Sequence, residues 1–259
     1  MAKNLIRFEG LIIKEKRIGE NKLIVVLSKE YGSISIFCRG GFRPQSKNLS
    51  STQLFTLAEF CVDVKEDSTG QKKYFLDSSK TKTIFYRIRL DVISAALASY
   101  IAELLNYCGI EEENNGEVLR LTLNTYYSLN TDRQPLELLK SIFEIRLLCE
   151  IGYRPHMIGC NKCYLYSSNN MHFNIKTGKL LCDDCISDED RNNGYDFVFD
   201  ENILYIVRNI MLSDYDELFS FKISDRAQKI LTKFSESFVN YYIKGRFVSR
   251  DFFKMMNLD

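Results

Sequence analysis

Residues 10–40 read GLIIKEKRIGENKLIVVLSKEYGSISIFCRG. Three apolar, β-branched runs are punctuated by Gly19-Glu20, Tyr31-Gly32 and Gly40, and Ser33-Ile34-Ser35-Ile36 alternates with the period of two that one half-buried strand face requires. Working outward, Phe8 opens the first run, and QLFTLAEFCVDVK and KKYFLDSSKTKT follow as two more, separated at Ser68-Thr69-Gly70. Five strands at hairpin spacing between Phe8 and about Lys82 predict a small closed antiparallel barrel.

The period changes after Thr83. DVISAALASYIAELLNYC repeats apolar residues at three and four and carries alanines small enough for a close helix approach, and EEENNGEVLRLTLNTYYSL supplies a second helix. Thr131-Asp132 followed by Pro135 reads as a helix start, and PLELLKSIFEIRLLCEIG has only a narrow polar strip of Glu137, Lys140, Ser141 and Glu144, which predicts a helix nearly surrounded by protein. Helical spacing resumes at Ile203, Val207 and Ile210 and again from Ile223 to Tyr242, with Lys244-Gly245 expected to close that helix. The chain therefore reads as α+β, a five-stranded barrel over 1–82 and a helical bundle over 83–154 and 193–259, interrupted by a cysteine module at 155–192.

Within that module Cys160-Asn161-Lys162-Cys163 and Cys182-Asp183-Asp184-Cys185 make a C-x2-C-x18-C-x2-C pattern, the spacing of a zinc ribbon or knuckle. Two local disulfides, a redox pair or chance are the alternatives; no thioredoxin-like βαβ context surrounds the pairs, so one Zn2+ held by Cys160, Cys163, Cys182 and Cys185 is the favoured reading. Four thiolates leave no position for a catalytic water, which makes the ion structural. MHFNIKTGKLLC reads as a hairpin turning at Lys176-Thr177-Gly178, with Lys162, Lys179 and turn amides available to offset the thiolate charge. His172 and His156 read as surface residues, and Cys38, Cys61, Cys108 and Cys149 as reduced core residues.

A formal charge of +1 hides an asymmetry: residues 1–80 hold fourteen Lys+Arg against nine Asp+Glu, net +5, and the remainder is net −4. A polyanion at the N-terminal end is the natural partner. In FCRGGFRPQSK, Arg39, Arg43 and Lys47 can meet phosphates, and Lys14, Lys16, Arg17 and Lys22 form a second basic set in the first hairpin. Phe42 is placed to stack on a base or to anchor the loop. No GxSxG, HExxH, Walker A or GxGxxG motif occurs, and the acidic runs Glu111–Glu113 and Asp188–Asp190 read as solvated faces, so no catalysis is expected. No long uncharged apolar run and no signal-peptide pattern is seen, so a soluble cytoplasmic protein without a membrane partner is expected.

Four stretches in order, GLIIKEKRIGENKLIVVLSKEYGSISIFCRGGFRPQSK, FEIRLLCEIGYRP, GKLLCDDC and GRFVSRDF, resemble the RecO family of bacterial DNA repair proteins across nearly the whole chain. The resemblance implies an N-terminal OB-fold barrel, a helical domain and a zinc module within it. It also implies binding of single- and double-stranded DNA, annealing of complementary strands, and work with RecR, and often RecF, that helps load the RecA recombinase on strands coated by single-stranded DNA-binding protein. Carried to this chain, Arg39, Arg43 and Lys47 are expected DNA contacts with Lys14, Lys16 and Arg17 beside them, while Phe42 and Gln45 stand where many members carry basic residues. Arg226, Lys229 and Lys233 are candidates for the acidic tail of single-stranded DNA-binding protein. The competing reading is a non-catalytic protein-interaction adaptor, which predicts that the positive charge of residues 1–80 is scattered and not gathered on one face.

Overall fold

Strand β1 (Leu5–Ile18) is long enough to serve two neighbours, pairing β4 (Thr56–Glu66) from Leu5 to Leu11 and β2 (Asn21–Ser28) from Gly10 to Ile18. The hand-over occurs at Gly10, where a Cβ would lie 2.4 Å from Val26 Cγ1, and at a bulge between Ile12 and Lys14. Bulges bend a strand and raise its twist, which is what closure of a small barrel demands. With β3 (Gly32–Cys38) and β5 (Lys72–Ile84) the sheet closes in the order β1-β2-β3-β5-β4, that of an OB-fold. The closing β3–β5 contact is parallel and registers at only Ile36↔Tyr74 and Phe37↔Phe75. Inside lie Phe8, Ile12, Ile24, Val26, Ile34, Ile36, Phe60 and Val62.

The computed structural model describes residues 3–110 and 115–257, and the chain forms two compact units, Met1–Asp132 with Arg246–Asp259, and Arg133–Gly245. In the first unit a 3-10 turn (Tyr86–Arg89) leads to α1 (Val92–Cys108) and α2 (Asn115–Thr131). Asp91 caps α1 by accepting the Ser94 amide at 2.7 Å, and Gly109, with φ 58°, ends it in the left-handed conformation that glycine adopts without strain. The Tyr126 hydroxyl donates to the Ala98 carbonyl at 2.9 Å, joining α2 to the small-residue face of α1.

The second unit opens with α3 (Leu136–Leu148), a π-helical turn (Cys149–Tyr153), β6 (His156–Cys160), β7 (Met171–Asn174), β8 (Lys179–Cys182), α4 (Asp188–Asn192), β9 (Phe197–Phe199), α5 (Glu201–Leu212), α6 (Tyr215–Leu218) and α7 (Asp225–Tyr242). The strands order as β6-β8-β7-β9, so β6 and β9 extend the expected β7–β8 hairpin on either side, β9 within the stretch expected to be helical. The polar strip of α3 is buried: Lys140 Nζ reaches Glu236 at 2.7 Å, Glu144 at 3.5 Å and Glu137 at 3.9 Å, and Ser235 Oγ donates to Glu144 at 2.6 Å from α7. Thr131-Asp132 does not cap this helix. Helix α2 runs on through Thr131, Asp132 turns at φ 53°, and Pro135 precedes the first turn of α3. Nor does Gly245 close α7, which ends at Tyr242 with Ile243 already extended.

Helix α8 (Val248–Met256) belongs to the first unit, where Phe247 meets Tyr100 and Tyr107 edge-on and Glu103 accepts the Val248 and Ser249 amides. The helices expected to form one bundle are thus divided, α1, α2 and α8 in one unit and α3 to α7 in the other.

Candidate nucleic-acid interface and metal centre

Residues paired across adjacent strands point to the same face of a sheet. The registers Lys16↔Leu23, Leu23↔Phe37 and Phe37↔Phe75 therefore lay one row of side chains across the outside of β1, β2, β3 and β5, with Lys14, Val25 and Ser35 in the next row. Phe37 and Phe75 are half-buried and meet edge to face at 6.1 Å. Arg39 lies 5.6 Å and Lys65 5.4 Å from the centre of the Phe75 ring. The result is an aromatic pair bordered by Lys14, Lys16, Arg39 and Lys65, all exposed, with Asp63 beside Phe75 and 3.7 Å from Lys65, on the β2–β3 face that OB-folds offer to oligonucleotides. Sequence reasoning named Lys14, Lys16 and Arg39 but missed Phe37, Phe75 and Lys65. Phe75 and Lys65 sit on strands far along the chain, and only the parallel closure brings them to Phe37.

The remaining basic residues lie elsewhere. Lys22 is buried, 1% exposed, with its ammonium on Glu15 Oε2 at 3.1 Å and the Thr52 carbonyl at 3.0 Å, so the expectation that it joins an exposed basic set is corrected: it is a structural cation. Phe42 anchors its loop, taking Lys22 Nζ at 4.5 Å and the Arg17 guanidinium at 5.2 Å over its ring. Arg17 also donates to the Gly19 carbonyl, and Arg43 forms an ion pair with Glu20, donating through Nε at 2.8 Å. Gly41 is needed for the barrel and not for a ligand, since a Cβ there would lie 2.9 Å from Lys22 Cβ. Lys47 is exposed in the loop that follows, which Asn48 pins to β5 by accepting from Ser79.

In the second unit the Sγ atoms of Cys160, Cys163, Cys182 and Cys185 all lie within 4.8 Å of one another, with Cys163 and Cys182 at 3.6 Å, and all four are free of disulfides. A tetrahedral four-thiolate ion with bonds of about 2.3 Å has edges of roughly 3.8 Å, so the donor set fits a metal ion. Burial opposes charge on Cys160, but the amides of Cys163, Cys182 and Lys162 outweigh it and bring the thiol down to about 6, while hydrogen bonding to Cys163 and Cys182 pushes Cys185 up to about 12. The turn amides thus favour negative sulfur at Cys160; Lys162 donates to the Cys185 carbonyl and to Asp190, each at 2.9 Å.

Two side chains brace the module. His172, expected at the surface, is 4% exposed and meets Asp183 at 2.7 Å, which fixes the turn carrying Cys182; β9 lies beside β7 with Val198 opposite His172. His156 is exposed as expected. Arg208 of α5 donates to the carbonyls of Met157, Ile158 and Tyr166 at 2.7, 2.9 and 2.6 Å and lies 3.9 Å from the Tyr166 ring centre, holding both flanks of the first cysteine pair. Neither Arg208 nor His172 carries a spacing signal. Among the described residues no other His, Cys, Asp or Glu cluster has metal-binding geometry; Asp190 of the acidic run closes a capping box with Ser187, and Glu111–Glu113 lie outside the described residues. Arg226, Lys229 and Lys233 are exposed on α7, Arg226 in an ion pair with Asp200. Among the described residues no helix is long and apolar enough to cross a membrane.

Comparison with known proteins agrees with this arrangement. Residues 1–76 match the family model for the N-terminal part of recombination protein O, and residues 89–251 the model for its C-terminal part. The DNA repair protein RecO of Acetivibrio thermocellus is 30% identical over 256 residues, covering 98% of each chain, and that of Alkaliphilus metalliredigens 27% identical over 243 residues, covering 92% of this chain and 94% of the other. A replication protein A heterotrimer bound to single-stranded DNA is similar over 37% of this chain and 73% of the other at 12% identity, but a TM-score of 0.24 carries no argument. Matched by both family models and by relatives along nearly its whole length, the chain belongs to the RecO family of DNA repair proteins.

Proposed function

We propose that the chain is a non-catalytic recombination mediator that binds single- and double-stranded DNA on the barrel face, anneals complementary strands, and with RecR helps load RecA on DNA coated by single-stranded DNA-binding protein. The observation that carries the reading is the aromatic pair Phe37 and Phe75 bordered by Lys14, Lys16, Arg39 and Lys65. Annealing is opposed by phosphate repulsion, which a basic surface lowers by screening both strands, and the rings take bases by stacking without regard to sequence. No group need be transferred. Gathering of these cations around one aromatic pair favours DNA over the adaptor alternative, which expects scattered charge. Lys47 and Arg17 lie away from this aromatic pair, Arg17 over Phe42, and Arg43 reaches a phosphate only by leaving Glu20.

The metal is assigned as one structural Zn2+, on the strength of four cysteine donors at tetrahedral spacing. Family membership supports RecR, the tail of single-stranded DNA-binding protein and RecF as partners, and a place in the bacterial cytoplasm at the nucleoid. The test is the annealing rate of two labelled complementary oligonucleotides across a salt series. Acceleration that fades with salt and falls at least tenfold in a Lys14→Ala, Lys16→Ala, Arg39→Ala chain supports the reading; no acceleration at low salt removes it.

A further inference from the structure

Residues 151–182 hold four cations, Arg154, Lys162, Lys176 and Lys179, and not one carboxylate, although the chain from 81 onward is net negative. Lys162 is committed to Asp190; the other three are exposed and have no ion-pair partner among the described residues, Arg154 also hydrogen-bonding the Cys149 side chain. The fold gathers them. His156 pairs with Lys179 across the parallel strands β6 and β8, its amide donates to the Gly178 carbonyl at 2.9 Å, and Pro155 packs against Gly178, so the chain after Arg154 lies along the turn that carries Lys176.

A tyrosine stack completes this surface. Tyr153 lies on Tyr242 at 4.6 Å with an interplanar angle of 35°, and Tyr241 meets Tyr242 edge-on at 4.9 Å. Tyr242 is fixed from below by Phe238 at 5.2 Å, and its hydroxyl donates to the Ile175 carbonyl next to Lys176. Tyr153 and Tyr241 are each 41% exposed. Their rings carry apolar faces and polar tips, and so present stacking area at the surface.

We propose that Tyr153, Tyr241, Arg154, Lys176 and Lys179 form a second contact for single-stranded nucleic acid, on the second unit and separate from the barrel face. The cations are spread along a hairpin edge, as phosphates are spread along a strand, and the half-exposed tyrosine rings beside them suit an unstacked base. A peptide carboxylate would be better served by cations converging on one point. The inference rests on the DNA-binding reading and deepens it: annealing needs two strands, and a chain with two strand contacts can hold both.

The test uses the full chain and a fluorescein-labelled oligothymidine. Tyr153→Ala should weaken single-strand binding about tenfold, in the range of one lost stacked base, and leave duplex binding unchanged, with Tyr153→Phe restoring it. Arg154→Ser combined with Lys176→Ser should lower the salt slope by about 1.4, roughly 0.7 per phosphate contact. Photocrosslinking of the unmodified chain to an iododeoxyuridine strand covers the case of a variant that fails to fold, and a crosslink at Tyr153 or Tyr241 supports the contact. Crosslinks confined to the barrel, with both variants binding as the parent does, overturn this inference and leave the proposed function standing. Loss in these variants of binding to an Asp/Phe-rich peptide but not to the strand overturns it in favour of a protein partner. A parent chain that binds no strand at all overturns both.

Discussion

Replacing Lys16 and replacing Lys22 should have opposite consequences, although both are lysines of the first hairpin. Lys16 is exposed beside Leu23, in the row that leads to Phe37, so Lys16→Ala should leave the melting temperature within about 1 °C and reduce the salt slope of DNA binding by about one, read by fluorescence anisotropy. Lys22 is a buried partner of Glu15 and the Thr52 carbonyl; Lys22→Ala should cost about 2–3 kcal/mol in urea unfolding and leave the slope unchanged. A salt slope that drops equally in both variants would contradict the assignment. Sequence told the charge of these two residues and not their surroundings. The difference follows from strand parity: after the bulge at Ile12 and Lys14, even-numbered Lys16 faces out while Lys22 sits where the loop to Thr52 folds over it.

Between elements, side chains that reach across carry more than the caps at helix ends. Arg208 ties α5 to both sides of the first cysteine pair through three carbonyls, a planar fork that a lysine cannot reproduce. Arg208→Lys should therefore lower metal affinity 10- to 100-fold, measured by competition with a chromophoric chelator, while the barrel stays folded. Lys140 joins α3 to α7. Burial disfavours its charge, but Glu144 and Glu236 outweigh that and raise its pKa above the ordinary 10.5. Its contribution is full below the pKa of an unfolded lysine and is lost as pH rises through the raised value, so thermal unfolding of the second unit should show no Lys140-dependent change between pH 6 and 9 and should weaken above pH ~10.5. Lys140→Ala leaves three carboxylates around the vacated place and should cost about 3–5 kcal/mol. The polar strip of α3 was visible as spacing at 137, 140, 141 and 144; that Glu236 and Ser235 meet it from α7 was not, because a pairing ninety residues apart leaves no periodic trace.

For the molecule as a whole, the two units are distinct in what holds them. Removal of the metal with a chelator should melt the β6–β9 sheet and leave the barrel's slow amides protected, a difference that hydrogen exchange with mass spectrometry resolves peptide by peptide. Loss of protection in both units together would contradict separate stabilisation. The barrel, the cysteine cluster and the helices were legible because each announces itself locally, by a period of two, by a fixed spacing or by a period near 3.6. Their grouping was not. Helices α1 and α3 both show apolar spacing, yet only contacts such as Tyr126 to Ala98, or Phe247 to Tyr100, decide that one completes the barrel unit and that the last helix returns to it.

The two-position parallel contact between β3 and β5 is the thinnest part of the barrel wall, and it lies directly under Phe37 and Phe75. A strand stacked on both rings would bridge that seam from outside as a suture closes two edges. The barrel should accordingly breathe least when it is occupied: amide exchange from Ile36 to Cys38 and from Tyr74 to Leu76 should slow on adding oligothymidine while exchange along the β1–β4 wall is unaffected. DNA would then be a structural component of the very wall it binds.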